Sequence, residues 1–317
     1  MTVCKASDAS RGESYALVTA AYNEAGYIGN TIRSVISQEV RPVKWVIVSD
    51  GSTDQTDAIV EEYAAKHSFI QLYRLTDAHP RNFEAQANAI NAGIAQLRTC
   101  PYRFIGNLDA DVTFEPEYFR LLLNKFRDTP QLGLGGGLIY ERGSGGEFKS
   151  RRNNKVTSVA HAVQLFRREC FDAVGARYQP LPYGAPDTYA EVTARMKGWH
   201  VSSFPDLKVF HHRPTSSAGG RLRGCFRQGR MDYSLGILPI YEVAKSLNRM
   251  RDKPYIFGAI TRFGGFAYSH FQNEQRPVSR EFIAYFRREQ ASRLISCLPI
   301  GKRSDAPVKI EHDPVRG

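Results

Sequence analysis

Short apolar runs alternate with amphipathic stretches along the first 130 residues of the chain. The apolar runs are rich in β-branched side chains and are bounded by polar residues, which is typical of buried strands. These runs are Tyr15–Ala20, Val43–Ser49, Ile70–Leu75 and Tyr102–Leu108. The stretches that predict helices are Gly26–Gln38, the residues after Asp54, Glu84–Leu97 and Pro116–Phe126. Such alternation predicts βαβ units and an α/β fold with a mainly parallel sheet.

The pattern becomes irregular after residue 130. Glycine fills four of the five positions of Gly133–Gly137 and three of the four positions of Gly143–Gly146, so both segments are expected to be flexible or tightly turned. Further along, Asp187–Lys197 has helical spacing, whereas Val201–Phe204 and Leu207–Phe210 have the composition of two short strands. The chain from residue 219 onward is predicted to be mainly helical.

Positive charge is concentrated in the last third of the chain. The 317 residues carry a net charge of +11, and their number allows one large domain, or one domain with a substantial appendage. Residues 1–205 contain 23 Lys and Arg against 22 Asp and Glu, whereas residues 206–317 contain 20 against 10. This surplus fits a solvated basic surface, and it equally fits contact with an anionic membrane, a phosphate-bearing ligand or nucleic acid.

One segment of the basic region, Arg280–Ser296, is predicted to be an amphipathic helix. Its apolar side consists of Phe282, Ile283, Phe286, Leu294 and Ile295, and its cationic residues are Arg280, Arg287, Arg288 and Arg293. Such a helix can lie on an anionic bilayer, pack against the core of the protein, or form an oligomer contact. The sequence leaves these three alternatives open.

The chain shows none of the features of an exported or membrane-spanning protein. Its apolar runs are too short to cross a bilayer, and its first twenty residues contain Asp8, Arg11 and Glu13 where a signal peptide would be apolar. The five cysteines are widely spaced and include no Cys-x-x-Cys pair, so neither a disulfide framework nor a zinc knuckle is expected. We therefore predict a cytoplasmic protein, with peripheral attachment to the inner face of the plasma membrane as an open alternative.

Carboxylates follow the predicted strands, where parallel sheets bind their ligands. The Asp-Ala-Asp sequence of Asp109–Asp111 ends the fourth strand, and its two carboxylates can bind one Mg²⁺ or Mn²⁺ together with diphosphate oxygens. Asp50 ends the second strand and can accept hydrogen bonds from a base or a ribose, while Ser52 or Thr53 is predicted to cap the next helix. Each motif is also compatible with a turn that only caps a helix.

Further candidates follow in the second half of the chain. Asp187 stands after two turn-forming residues at a predicted helix start, which suits a general base and equally suits a helix cap. His211 and His212 are adjacent, so in a strand their side chains point to opposite faces and at most one reaches a shared metal ion. Arg227 and Arg230 share one face of a predicted helix, where they can contact phosphate or solvent.

Taken in order along the chain, these motifs resemble those of the family 2 glycosyltransferases. The matching stretches are Val18–Gln38, Trp45–Thr56, Ala89–Ile94, Phe104–Phe114 and Gly184–Trp199. The resemblance covers about residues 15–215 and implies the A-type glycosyltransferase fold, a Rossmann-like sheet flanked by helices. It implies a nucleotide-sugar-binding catalytic region at residues 1–218, with the acceptor half from about residue 130, and a helical basic extension at residues 219–317.

The resemblance also implies a role for each candidate residue. The residues implied to bind the donor are Ala20, Tyr22, Glu24, Asp50, Asp109, Arg227 and Arg230. The implied ligands of Mg²⁺ or Mn²⁺ are Asp109, Asp111, and His211 or His212, and the implied catalytic base is Asp187. Two positions depart from the family pattern, because Ser49 and Pro186 stand where a second acid often precedes Asp50 and Asp187.

These roles describe a metal-dependent inverting enzyme. It would move a sugar from a UDP- or GDP-linked donor to an acceptor hydroxyl, and the implied acceptor is a glycan or lipid-linked saccharide in cell-surface or exopolysaccharide synthesis. The alternative is a partner subunit that binds nucleotide sugars without turnover. Nucleic acid is not an expected partner, because neither an RNA-binding motif nor zinc-ligand spacing accompanies the basic region.

Overall fold

Four parallel strands form the first half of a nine-stranded sheet. The computed structural model describes residues 13–76, 83–143, 145–151, 154–213, 220–251 and 254–297. The strands are β1 (Tyr15–Ala21), β2 (Lys44–Ser49), β3 (Ile70–Arg74) and β4 (Phe104–Leu108), and they lie in the order β3-β2-β1-β4. Each neighbouring pair is parallel, so the predicted α/β fold is confirmed.

Helices cover both faces of this parallel half, which explains why its strands are apolar throughout. The connecting helices are α1 (Ile28–Ile36), α2 (Thr56–Lys66) and α3 (Phe83–Gln96), and α4 (Tyr118–Asp128) follows the fourth strand. Alternate residues of β1 point to opposite faces: Leu17 packs with α1 and α4, and Val18 packs with α3. Two cores therefore lie on the two sides of one sheet.

The second half of the sheet is mixed. Its strands are β5 (Val112–Thr113), β6 (Leu132–Arg142), β7 (Phe148–Ser150), β8 (Val163–Arg167) and β9 (His200–His211), accompanied by helices α5 (Arg168–Ala173) and α6 (Pro186–Met196). β8 is antiparallel to both β4 and β6, while β6 is parallel to β9. In the order β3-β2-β1-β4-β8-β6-β9-β5, with β7 paired to β6, four of the eight described strand pairs are parallel and four are antiparallel, so the parallel arrangement that the sequence predicts is confined to β3-β2-β1-β4 and to the pair β6–β9.

The prediction of a flexible or turned segment at Gly133–Gly137 is wrong, because these glycines lie inside the buried strand β6. A Cβ at Gly133 would lie 2.6 Å from the sulfur of Cys170, and one at Gly136 would lie 2.5 Å from the carbonyl oxygen of Val163. The glycines thus let α5 and the neighbouring strand approach closely. Gly143–Gly146 does contain a turn, in which the Gly146 N–H donates to the carbonyl of Gly143.

The two short strands expected at Val201–Phe204 and Leu207–Phe210 are one strand, β9. Its pairing with β6 shifts register at one point: Gly137 of β6 pairs with Phe204, and the next β6 residue, Leu138, pairs with Lys208. Pro205 lies within that shift and has no backbone N–H to donate, which accounts for a bulge there.

The described part of the C-terminal region is helical, as predicted. Its helices are α7 (Arg221–Ser234), α8 (Pro239–Asn248), α9 (Tyr255–Phe271) and α10 (Arg280–Cys297), and we call α7, α8 and α9 the helical layer. Residues 1–12 and 298–317 of the two predicted regions lie outside the described residues.

α10 packs part of the apolar side of Arg280–Ser296 against the rest of the protein and leaves Ile295 exposed. Phe282 and Phe286 are buried in a cluster with α6 and the helical layer, and the Phe282 ring stacks on Tyr189 at 4.9 Å. The Arg195 Nε lies 2.7 Å from a carboxylate oxygen of Glu289 in the same contact. Among the described residues, no helix is both long and apolar enough to cross a membrane.

Candidate active site

Three potential metal ligands meet at the carboxyl edge of the sheet. Asp109 follows β4, and Asp111 precedes β5, which pairs with β9 so that Val112 lies opposite His211. This pairing brings the His211 Nε2 to 3.3 Å from an Asp111 carboxylate oxygen. One donor atom from each of Asp109, Asp111 and His211 lies within 4.8 Å of the other two.

The chemistry of this cluster fits a divalent cation. Two carboxylates and an imidazole suit Mg²⁺ or Mn²⁺, whose remaining positions water or phosphate oxygens can fill. The Nδ1 of His211 is buried without a hydrogen-bond partner in the described part of the chain. Burial opposes ionisation of Asp109, but the hydrogen bond and charge of His161 hold its pKa below the usual value. The Asp109 carboxylate is therefore in the charged form that a cation requires.

The two adjacent histidines separate as their positions in a strand require. The His212 Nε2 lies 2.8 Å from the Thr113 hydroxyl, and its ring packs edge-on against Phe148. Burial and the charge of Arg142 lower the pKa of His212. Of the two, the structure brings His211 to the acidic pair and leaves His212 on the opposite side of the strand.

Arg213 joins the acidic pair to the first loop. Its guanidinium forms an ion pair with Glu24, and its Nε lies 3.5 Å from Asp111. Burial raises the pKa of Glu24 to about 7, a rise that Arg213 opposes and that the charges of Asp111 and Asp109 reinforce. Glu24 is thus part of the same electrostatic cluster as the candidate metal ligands.

The loops after β1 and β2 are tied together by hydrogen bonds. The Asn23 N–H donates to the Ser52 hydroxyl at 3.2 Å, and the Thr53 N–H donates to the Asn23 side chain at 2.8 Å. The predicted caps Ser52 and Thr53 therefore hold the other loop, and it is Asp54 that accepts the Thr56 N–H at the start of α2. Asn23 has a left-handed backbone, at a φ of 53°, where it makes these contacts.

The remaining donor candidates lie on or beside these loops. Ala20 is near the end of β1 and Tyr22 follows that strand, while Asp50 follows β2 and donates its N–H to the carbonyl of Ala21. Because β2 and β4 flank β1, Asp50 and Asp109 lie on either side of the same strand end. This topology places the candidates for nucleoside binding along the edge that holds the acidic pair.

His161 connects Asp109 to the candidate base. Its Nδ1 lies 3.4 Å from an Asp109 carboxylate oxygen, and its backbone carbonyl accepts a hydrogen bond from Asn107 at 2.7 Å. Its Nε2 is buried and has no partner within the described residues. Burial lowers its pKa, but Asp109 and the charge of Asp187 raise it above the usual value. The charges of Asp109 and Asp187 thus both act on the His161 ring.

Asp187 stands in the first turn of α6. The helix follows Ala185, whose φ of 69° is left-handed, and the Asp187 carboxylate accepts the N–H of Thr188 at 2.8 Å. One turn later, Glu191 is buried and accepts the Val159 N–H at 2.6 Å. Burial and the charge of Asp187 raise the pKa of Glu191 to about 8. Glu191 thereby fixes α6 to the segment that carries His161.

Arg227 and Arg230 reach the loop that precedes Asp187. The Arg227 guanidinium donates to the carbonyl of Tyr183 at 3.3 Å. The Arg230 guanidinium lies over the Tyr183 ring at 4.5 Å and forms an ion pair with Glu274. The described contacts of Arg230 thus hold the helical layer to this loop and do not include Asp109 or Asp111.

The sequence analysis missed His161, Asn107 and Arg213. Asn107 is a polar residue inside the apolar run of β4, and that mismatch was a usable signal. His161 lies in an apolar stretch and Arg213 directly follows the histidine pair, but neither position forms a motif by itself. Their contacts depend on β8 and β9 meeting the parallel half, which local patterns do not specify.

Comparison with known proteins connects this site to a family. A sequence model of glycosyl transferase family 2 matches residues 16–185. Over 121 residues, covering 38% of this chain, the chain is 31% identical to a poly-beta-1,6-N-acetyl-D-glucosamine synthase of Staphylococcus epidermidis. Over 208 residues, covering 62% of this chain, it is 32% identical to a chondroitin synthase of Escherichia coli. The matches span only 27% and 29% of these relatives' lengths.

Solved structures agree on the fold. One of them is the mannosyltransferase PcManGT from Pyrobaculum calidifontis, solved with GDP-Man and Mn²⁺. The match covers 88% of this chain and 80% of the PcManGT chain, with a TM-score of 0.52 and 17% sequence identity. At that identity the likeness concerns the fold alone. Since the family model matches more than half of the sequence, and since the mixed sheet with its flanking helices is that of such transferases, this chain belongs to glycosyl transferase family 2 and has the A-type glycosyltransferase fold.

Proposed function

We propose that the protein is an inverting glycosyltransferase that moves a sugar from a UDP- or GDP-linked donor to an acceptor hydroxyl. The observation that carries this proposal is the convergence of Asp109, Asp111 and His211 at the sheet edge, with Asp187 in electrostatic reach through His161. A cation site beside a separate carboxylate is what a single displacement on a nucleoside-diphosphate sugar needs.

Asp109, Asp111 and His211 are the residues that would hold Mg²⁺ or Mn²⁺. When bound, such an ion offsets the negative charge that develops on the diphosphate as it leaves. The Arg213 guanidinium lies beside Asp111 and Glu24 and would add a second positive charge at the same edge to offset the charge of the diphosphate. The related fold of PcManGT was solved with GDP-Man and Mn²⁺, which supports the choice of donor class and ion.

Asp187 is the proposed general base. It would take the proton from the acceptor hydroxyl, whose oxygen attacks the anomeric carbon from the face opposite the diphosphate. One displacement forms the new glycosidic bond, breaks the bond to the diphosphate and inverts the configuration. Ala20, Tyr22, Glu24 and Asp50 are proposed to line the nucleoside pocket, because their loops border the acidic pair.

The proposed acceptor is a glycan or a lipid-linked saccharide in cell-surface or exopolysaccharide synthesis. The support comes from the relatives, which are named as synthases of poly-beta-1,6-N-acetyl-D-glucosamine and of chondroitin. Both names describe polymers of sugars, and the family match over residues 16–185 contains Asp50, Asp109 and Asp111.

A thermal-shift screen followed by turnover assays tests the proposal. UDP or GDP should raise the melting temperature of the full chain more with Mn²⁺ than without it, and a sugar linked to the preferred nucleotide should be hydrolysed or transferred. Asp111→Asn should lose the Mn²⁺-dependent shift, because it removes one charged ligand. Asp206→Asn is the matched control, since Asp206 is an exposed carboxylate on β9 away from the cluster.

Two results would contradict the proposal in different ways. Nucleotide binding that does not depend on Mn²⁺, and is the same in Asp111→Asn, would contradict the proposed metal site. Strong metal-dependent binding without turnover of any UDP- or GDP-linked sugar, with glycan and lipid-linked acceptors supplied, would instead identify a binding subunit.

A further inference from the structure

The outward side of α9 is apolar along most of its length, with the exposed His270 near its end. Its exposed side chains are 42–80% accessible and follow the helical period, and they are Tyr255, Ile256, Phe257, Ile260, Phe263, Tyr268 and Phe271. Arg262 is the only Lys, Arg, Asp or Glu within α9, and it is just 3% exposed. A surface helix of a water-soluble protein has the opposite arrangement, with charged residues outward.

α8 extends this surface with Ile240, Val243 and Leu247, which are also exposed. Its Glu242 is fully buried and accepts a hydrogen bond from the Arg262 Nε at 3.1 Å, so both helices turn their charges inward at the same level. We call the exposed apolar side chains of α8 and α9 together the apolar face. A continuous face of this kind marks a site of protein or membrane contact, whereas isolated exposed apolar residues do not.

Close packing of backbones joins α7 and α9, and among the outward side chains Tyr268 adds contacts with Phe226 and Arg230 of α7. A Cβ at Gly229 of α7 would overlap the Arg262 carbonyl of α9, and a Cβ at Gly265 would overlap the Phe226 carbonyl. The two helices therefore meet backbone to backbone through small residues, as helices do where no hydrophobic effect drives them together. Apart from Tyr268, the outward apolar residues are left for another contact.

Positive charge borders the apolar face. Arg221 and Arg223 are exposed at the start of α7, on either side of the exposed Leu222. The neighbouring Cys225 lies against Gly258, so this end of α7 is beside the end of α9 that begins at Tyr255. Cations next to exposed aromatic and aliphatic residues match an anionic lipid surface, where the headgroups attract the charge and the interfacial region accepts the apolar groups.

We propose that the apolar face docks on the surface of an anionic bilayer, without crossing it. The face offers no charged side chain that could fix the register of a protein partner or of a second copy, whereas a bilayer requires none. The docking helices would be α8 and α9, since α10 buries Phe282 and Phe286 inside the protein.

Docking would also orient the candidate active site. Arg227 of α7 contacts the carbonyl of Tyr183, a few residues before Asp187, so the docked layer lies next to the loop that carries the proposed base. A lipid-linked acceptor would then approach from the membrane side. This last step depends on the proposed function, but docking itself does not.

Vesicle flotation of the full chain tests the proposal. Vesicles of phosphatidylcholine alone are compared with vesicles that also contain phosphatidylglycerol, at low ionic strength and without donor or acceptor. We expect the protein to float with the anionic vesicles, and the double variant Phe257→Ser, Ile260→Ser to lower the bound fraction about tenfold or more. The matched control is Ile295→Ser, because Ile295 of α10 is 66% exposed and Ile260 is 63% exposed.

Several outcomes would overturn the proposal. They are failure of the wild type to float at low ionic strength, equal flotation of the double variant, and an equal loss in Ile295→Ser. A dimer would also overturn it: light scattering would show that the wild type is a dimer and the double variant a monomer, and neither the wild type nor the double variant would bind vesicles. Thermal unfolding checks that the variants fold, and Phe271→Ser, at 80% exposure, replaces the double variant if that one does not. Because no substrate is present, a negative result leaves the proposed function standing.

Discussion

The sheet edge and the helical layer use buried charge in opposite ways. At the sheet edge, Glu24, Asp109 and Asp111 lie close enough that the charges of the two aspartates help burial to raise the pKa of Glu24 to about 7. In the helical layer, Asp232 is paired with both Arg262 and Lys245, at a depth where almost no water reaches it. The first set has three carboxylates beside one arginine, Arg213, whereas the second pairs two carboxylates, Asp232 and Glu242, with Arg262 and Lys245 and holds helices together.

The two regions should therefore respond differently to loss of a charge. A change at the sheet edge should affect turnover or metal binding with little loss of stability, since it relieves repulsion between carboxylates. A change in the helical layer should cost stability, since it leaves a buried charge without its partner. The predictions below test this contrast, beginning with the largest expected effect.

The largest expected effect is on turnover in Asp187→Asn. Asparagine retains an oxygen for the Thr188 N–H but cannot take a proton, so transfer should fall about 10²–10⁴-fold. Stabilisation by Mn²⁺ and nucleotide should be unchanged, which thermal shift can measure alongside initial rates. Asp172→Asn, at an exposed carboxylate on α5, is the control. Normal transfer in Asp187→Asn would show that another group is the base.

The next largest effect is on stability in Arg262→Met. Removing the guanidinium leaves Asp232 and Glu242 buried without their shared partner, which should lower the free energy of unfolding by about 3–5 kcal/mol in urea titrations. Arg288→Met, at an exposed site on α10, should change it by less than about 0.5 kcal/mol. If Asp111→Asn destabilised the protein as much as Arg262→Met, the contrast between the regions would be wrong.

The parallel half of the sheet was predictable because its signals are local. Strands such as Val43–Ser49 are buried on both faces, so the apolar run itself identifies them, and the acids at their ends follow from parallel topology. Gly133–Gly137 has no such signal, because glycine favours turns in isolation and is required in β6 only by the close approach of α5 and β8. The contact of His161 with Asp109 depends on the same packing and has no local signal either.

The C-terminal region shows where amphipathic patterns stop being informative. The sequence identified Arg280–Ser296 as a helix with an apolar side, and the structure buries Phe282 and Phe286 of that side against α6 while Ile295 stays exposed. It also shows the exposed apolar face on α8 and α9, which the sequence analysis did not single out. Periodicity tells which residues share a face, but only tertiary packing decides whether that face is covered.

A third prediction uses two neighbouring glycines of α9 to test how the helical layer is held together. A Cβ at Gly265 would overlap the Phe226 carbonyl, so Gly265→Ala should destabilise the protein by about 1–3 kcal/mol. A Cβ at Gly264 meets no atom within 4 Å, so Gly264→Ala should stabilise the helix by about 0.5–1 kcal/mol. Urea titration of both variants measures the difference. Equal values would mean that α7 and α9 do not rely on close backbone contact.

The last prediction concerns Glu191, a buried carboxyl of the α/β body whose pKa is raised as that of Glu242 is in the helical layer. Burial, and then the charge of Asp187, raise the pKa of Glu191 from 4.5 to about 8. Between these two values the unfolded chain has lost the proton that the folded protein keeps. The stability that Glu191 contributes is therefore fully present below pH 4.5 and is lost as the pH rises through about 8.

Glu191→Gln should remove this dependence while keeping an oxygen for the Val159 N–H. Between pH 5 and pH 8, the free energy of unfolding of the wild type should fall relative to that of the variant by at least about 1.4 kcal/mol, the equivalent of one pKa unit. Glu62→Gln is the control, because the Lys66 hydrogen bond lowers the pKa of this exposed carboxyl from 4.5, so that it titrates below pH 5 and the variant should run parallel to the wild type between pH 5 and pH 8. Parallel curves for the wild type and Glu191→Gln would show that Glu191 is already charged in the folded protein. Its burial would then be balanced, as in the helical layer, by a neighbouring cation such as Arg195, which lies 3.8 Å away.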